Sequence, residues 1–212
     1  MIEQIELVHE RCQSLDGPPR DIEFLSSIKQ YYKSKGSLSP GQTRWFESLK
    51  EKYSQSAVEQ HQIWNLQFSD FHRETAINVA HYYRQTQYYQ ALVSKVFADV
   101  ENFTLSQREW NRFCENKYAL KVRNEYEKEL RFKIGDAIQI RASNKVREAN
   151  YNSDGRSPSL GRLVNRVGFV IKTDAKKITK ARKGSRVYQV LLIGDTSPIY
   201  AHEADLKKAK KV

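Results

Sequence analysis

Catalytic residue types are scattered along this chain. His61 and His72 stand eleven residues apart, a spacing that lets two imidazoles share a helix face, but His81, nine residues further on, turns away from them. His9 and Cys12 make a pair, two ligands short of a closed zinc site. Glu115-Asn116-Lys117 with Asp99 upstream has the Glu-x-Lys composition of a metal-dependent nuclease, yet such enzymes hold those groups on adjoining strands, and here the surrounding sequence is helical. Cys114 has no histidine near it in sequence to draw off its proton. Neither a GxxxxGK[ST] loop nor a GxGxxG turn is present to cradle a nucleotide. The expectation is a protein that is not an enzyme, with no catalytic residue, no metal and no cofactor.

What the sequence does concentrate is positive charge, the chemistry that holds phosphate. Lys172, Lys176, Lys177, Lys180, Arg182, Lys183 and Arg186 crowd one short segment against a single acid, Asp174. Cations so close repel one another unless solvent or a polyanion separates them. A longer polar segment, Ser143 to Arg166, carries Lys145, Arg147, Arg156, Arg162 and Arg166 around Asn150-Tyr151-Asn152-Ser153-Asp154-Gly155, and loops of that length are usually functional or disordered. Lys207, Lys208, Lys210 and Lys211 form a basic tail. Phosphate binding is the favoured reading, because both segments and the tail share one acid-poor region. A solvated, solubilising surface is the alternative. Tyr151 and Tyr188 could stack on bases, but a tyrosine beside a strand is more often packing, so base recognition is not expected.

The elements that must hold these cations divide by composition. The chain has 212 residues and a formal net charge of +11. Residues 1–131 are neutral, with 18 Lys and Arg against 18 Asp and Glu, so the whole excess lies in residues 132–212, with 18 against 7. Trp45, Trp64 and Trp110 all precede residue 131, and six of the nine glycines follow it. This places a domain boundary there, with 1–131 a helical scaffold or interaction domain and 132–212 a basic domain that should fold alone and keep most of the affinity for DNA. With 39% hydrophobic residues, 29% charged residues and a mean hydropathy of -0.73, the chain can bury a core and stay in water. No run approaches the roughly 20 apolar residues of a membrane span. Met1 to Arg11 mixes Glu3, Glu6 and Glu10 into an amphipathic helix unlike a secretory signal, so the expectation is a cytoplasmic protein with no membrane partner. Cys12 and Cys114 lie too far apart in sequence to suggest a disulfide framework.

Within 1–131 the period is helical. Ile2, Ile5, Val8, Cys12 and Leu15 recur until Asp16-Gly17-Pro18-Pro19 breaks the run. Asp21 is the expected N-cap of a second helix, with Phe24, Leu25, Ile28, Tyr31 and Tyr32 on its apolar face and Gly36 at its end. Ser39-Pro40-Gly41-Gln42 reads as a capping box opening a third helix with the stripe Phe46, Leu49 and Tyr53. Further helices are expected over 56–68, 70–86, 88–99 and 106–130. A shift of 67 residues lays Leu25, Ser27, Leu38, Ser39, Gln42 and Phe46 on Leu92, Ser94, Leu105, Ser106, Glu109 and Phe113. That is either an internal duplication or two hairpins that share capping residues.

The segment FLSSIKQYYKSKGSLSPGQTRWFESLKEKY resembles a helical hairpin with an LSxxQ turn, seen in tailed-phage proteins and in regions attached to phage helicases and primases. RFCENKYALKV, followed by a basic segment opening FKIGD, is similar to the same arrangement in uncharacterised phage proteins. The resemblance implies phage origin, hence a host cytoplasm, and nucleic-acid metabolism, and it assigns no catalytic residue.

From Phe132 the period becomes that of strands, over Lys133 to Arg141, Val167 to Lys172 and Val187 to Ile193. KIGDAIQI, VGFVI, YQVLL and HEADL, in that order, resemble SH3-like barrels, including KOW-type modules of nucleic-acid and ribosome-associated proteins, with Ala137 where a branched residue is usual. The expected fold is α+β, an N-terminal all-helical domain with two similar hairpins and a small C-terminal SH3-like β-barrel. The expected function is a non-enzymatic nucleic-acid-binding accessory protein of a tailed phage. Its barrel would hold double-stranded DNA in preference to RNA, and its helices would dock a protein partner or a second copy. The alternative is an interaction protein whose basic barrel meets an acidic surface of a host transcription or translation component.

Overall fold

The computed structural model describes residues 1–143, 157 and 160–210, and local signals set most of its helix ends. α1 (Ile2–Ser14) stops just before Asp16, which takes a left-handed φ of 49°, and α2 (Pro19–Lys35) starts on a proline. The fixed φ and missing N–H of proline suit the first helical position, so Pro18 is the N-cap. Asp21, expected in that role, lies within the first turn of α2, 5% exposed. There its carboxylate accepts from Lys52 Nζ at 2.6 Å and from Tyr53 Oη at 2.7 Å, tying α2 to α3 (Pro40–Lys52). Gly36 ends α2 at a φ of 73°. The capping box of α3 forms as expected, with Gln42 N–H donating to Ser39 Oγ at 3.3 Å and Ser39 N–H to Gln42 Oε1 at 2.9 Å. With α4 (Gln55–Gln67) these helices make one compact unit, Met1–Phe68. Its core is Ile5, Val8, Cys12, Leu25, Ile28, Phe46, Leu49 and Tyr53, whereas Tyr31, expected on the apolar face, is exposed.

The second unit is Ser69–Val212. Residue 131, where composition switches, falls inside it, because α5 (Asp70–Tyr83), α6 (Gln90–Ala98), α7 (Gln107–Cys114) and α8 (Lys117–Glu127) belong with the sheet. The single helix expected over 106–130 is broken at Asn116. Its Oδ1 accepts from Tyr118 N–H and Ala119 N–H at 3.0 and 3.1 Å to start α8, while its Nδ2 donates to the Arg112 and Phe113 carbonyls at 2.9 and 3.0 Å to close α7. One amide thus satisfies the orphaned groups of two helix ends. The Ser106–Glu109 capping box repeats that of Ser39–Gln42, and Phe113, like Phe46, is fully buried.

Among the described residues five strands follow: β1 (Ala137–Ile140), β2 (Val167–Lys176), β3 (Val187–Leu192), β4 (Ile199–His202) and β5 (Leu206–Lys208), antiparallel in the order β4-β3-β2-β1-β5. The first three match the expected runs. β5 lies in what reads as a tail; it is a strand because Leu206 enters the core and Lys207 opposes Gln139 of β1. A 3-10 turn, Glu203–Asp205, carries the chain from β4 on one edge to β5 on the other, and Asp205 accepts from His202 N–H at 3.2 Å. Phe132, Ile138, Ile140, Leu160, Val170, Tyr188, Val190 and Leu192 fill the inner face. Gly168 lets β2 and β3 approach, since a Cβ there would stand 2.3 Å from the Leu191 carbonyl oxygen. β2 also slips register between Val170 and Lys172 and again before Lys176, and such extra residues bend a strand. Among the described residues no helix is long and apolar enough to cross a membrane.

Candidate nucleic-acid interface

β2 and β3 position the densest cations, with Lys172 and Lys176 on β2 and Lys177, Lys180, Arg182, Lys183 and Arg186 in the connection 177–186. That connection is anchored along its length. Ile178 is fully buried and its N–H donates to Tyr126 Oη at 2.9 Å. Burial pushes the Tyr126 phenol pKa up, so the ring stays neutral. Gly184 N–H donates to Glu125 Oε2 at 2.7 Å, and the Gly184 and Arg186 carbonyls accept from Ala204 and Glu203 N–H at 3.0 and 2.8 Å. His202 Nδ1 donates to the Ser185 carbonyl at 2.8 Å. Helix α8 below and the β4 turn beside it hold these cations together against their mutual repulsion.

The sequence candidates separate once packed. Arg186 is 4% exposed, donates to the Tyr126 carbonyl and faces Asp174 at 3.6 Å, so it fastens the connection to α8. Arg166 forms a two-pronged pair with Asp195 at 2.8 and 3.0 Å and also donates to the Ile193 carbonyl. Lys177 Nζ donates to Asn78 Oδ1 at 3.0 Å, and Lys176 Nζ sits 3.9 Å above the Tyr200 ring. Lys180 and Arg182 are half-buried in the connection. Lys172, Lys183 and Arg162 are exposed, with no partner among the described residues. Arg147 and Arg156 lie outside the described residues, as do Lys145, Tyr151 and Lys211.

An open groove of about 400 Å³ runs between α8 and the connection, lined by Lys121, Asn124, Glu125, Lys128, Arg182 and Lys183. Glu125, its acid, is 4% exposed and doubly engaged, with Oε2 on Gly184 N–H and Oε1 on Lys128 Nζ. Four cationic side chains therefore border a carboxylate already held from within. Lys121 and Lys128 escaped the sequence reading because they belong to the half whose charges balance. The signal was there: Lys117 and Lys121, four residues apart, share one face of α8, and Lys128 follows at its C-cap. The described acids of the sheet region are likewise held inside the unit. Asp136 accepts from Lys133 N–H, Glu203 from Tyr188 Oη, and Asp205 from His202 N–H, while Asp174 and Asp195 face arginines.

The other chemical candidates are placed in packing roles. Glu115 accepts from Trp110 Nε1 at 3.0 Å and pairs with Arg123, and Asp99 accepts from Asn102 N–H at 3.1 Å. Cys114 is fully buried, and desolvation pushes its thiol pKa up, away from a reactive thiolate. His72 meets the Trp110 ring edge-on and His81 the Phe97 ring, and burial, reinforced by nearby arginines and Lys177, lowers both imidazole pKa values. Tyr188 is fully buried and packs edge-on against Phe132 at 5.7 Å. Among the described residues no three His, Cys, Asp or Glu side chains gather as a metal ion requires. Comparison with protein-family models, with curated proteins and with solved structures finds no match.

Proposed function

We propose that this chain is a non-enzymatic accessory protein that binds the phosphate backbone of nucleic acid in the groove between α8 and the 177–186 connection. The observation that supports it most is the groove itself, where Lys121, Lys128, Arg182 and Lys183 converge from two elements over a carboxylate that is internally engaged. A fixed row of cations displaces condensed counterions from a nucleic acid, and backbone contacts position the polymer without reading its sequence. In this reading the sheet is an SH3-like barrel. The bulged β2, the 3-10 turn after β4 and the return of β5 to β1 support that. The LSxxQ hairpin suggests a tailed-phage protein whose helices dock a partner.

The test is a salt titration of duplex DNA affinity for the full chain and for Lys121→Ala, Lys128→Ala and Lys183→Ala. If the four groove cations each neutralise one phosphate, log K falls against log salt with a slope of about -3.6, and each substitution removes about 0.9 from it. Unchanged slopes in folded variants would refute the groove as the binding path. Absence of DNA binding at roughly 50 mM salt, where backbone contacts are strong, would refute the nucleic-acid reading and favour an acidic protein partner.

A further inference from the structure

The outward face of the sheet carries aromatic and cationic side chains that the groove does not use. Phe169 of β2 is 43% exposed, and its cross-strand neighbours are Ala137 of β1 and Leu191 of β3. The methyl group of Ala137 is too short to cover the ring. Beyond Val170 the register slip sets Ile171, 40% exposed, and Lys172 opposite the single residue Gln189, so both bulge residues join this face. Gln189 in turn opposes Tyr200 of β4, whose ring lies beneath Lys176 Nζ at 3.9 Å. At the other end Lys207 of β5 opposes Gln139. The acid of these strands, Asp174, faces Arg186. The face thus presents Phe169 and Tyr200 with Lys172, Lys176 and Lys207, and its electrostatics suit a polyanion.

A solvent-exposed phenylalanine among lysines fits a polymer that brings flat apolar surfaces and phosphates together. Unpaired bases do so; in a duplex the base faces are already covered by stacking. We propose that this face binds single-stranded nucleic acid, with a base stacked on Phe169 and the backbone following Lys172, Lys176 and Lys207. The proposal rests on the nucleic-acid reading above but uses a different surface, so the two can fail separately.

The experiment measures binding of the full chain to oligothymidine, oligouridine and a DNA duplex of the same length at roughly 50 mM salt, for the parent and for Phe169→Ala, Phe169→Tyr and Lys172→Ala. Loss of one stacked base should weaken both single strands by about 5- to 150-fold in Phe169→Ala, with duplex affinity held within about twofold. Phe169→Tyr, which keeps a ring, should retain single-strand binding, and Lys172→Ala should make its salt slope shallower. Single-strand affinity equal in parent and Phe169→Ala would overturn the sheet-face proposal, and a duplex slope still sensitive to Lys183→Ala would then leave the groove standing. Equal loss for duplex and single strands in a folded Phe169→Ala also overturns it. Failure of every oligonucleotide to bind overturns both.

Discussion

Replacing Glu125 should move stability and nucleic-acid affinity in opposite directions. Its Oε2 is the acceptor for the buried Gly184 N–H, and its Oε1 pairs with Lys128, whose side chain is half exposed. Glu125→Ala strands the Gly184 donor, at a cost of about 1–3 kcal/mol. The loss of a pair with one exposed partner adds about 0–1 kcal/mol. In a unit of about 150 residues each kcal/mol shifts Tm by roughly 2–4 °C, so a central cost of about 2.5 kcal/mol lowers Tm by roughly 5–10 °C. Glu125→Gln keeps an uncharged acceptor for Gly184 and should cost only about 1 kcal/mol. Both substitutions remove the groove carboxylate. Duplex binding should therefore tighten at low salt. Thermal melts followed by circular dichroism, together with a salt titration of the Gln variant, measure the two effects. An unchanged Tm in Glu125→Ala would show that the connection is not held through this residue. Unchanged or weaker DNA binding by a folded Glu125→Gln would refute the groove.

Asn116→Ala removes the shared cap of α7 and α8 and should lower the urea midpoint by an amount equivalent to about 1–2 kcal/mol, whereas Asn116→Asp, which keeps the acceptor for α8, should lose less. Gly184→Ala places a side chain at a φ of 70° with Ala204 Cβ 2.9 Å away, so a destabilisation above about 1 kcal/mol is expected by chemical denaturation. A fragment cut at residue 131 loses Tyr126 and Glu125, the partners of Ile178, Gly184 and Arg186. Contrary to the expectation from composition, amides in 177–186 should then exchange with solvent much faster in 132–212 than in 69–212, and equal protection would show that the sheet stands alone. Burial works to raise the pKa of Asp21, but its bonds to Lys52 and Tyr53 outweigh that and hold it below the ordinary 3.8. Its contribution is therefore present above about that pH and lost as pH falls through the lowered value, so an acid titration of helicity should flatten in Asp21→Asn.

The helix caps at Ser39 and Ser106, the turn at Gly36 and the strands β1 to β3 were legible because a cap or an alternation is decided by residues within a few positions of each other. The cation-rich segment was legible as composition. Which of its charges face solvent was not: Lys183 and Arg186 are three residues apart, yet one is exposed on the groove and the other is buried against Tyr126 and Asp174. Lys121 and Lys128 look like ordinary helix surface until the fold sets them beside Arg182 and Lys183, about 60 residues further along the chain. β5 reads as a basic tail until β1 offers it an edge. Sequence alone determined the helix caps at Ser39 and Ser106, the alternation of β1 to β3 and how much positive charge the chain carries. Tertiary packing alone decided which cations are already held by a carboxylate and which converge on one groove, because burial and Coulomb attraction depend on distance in space, and spacing along the chain does not encode that distance.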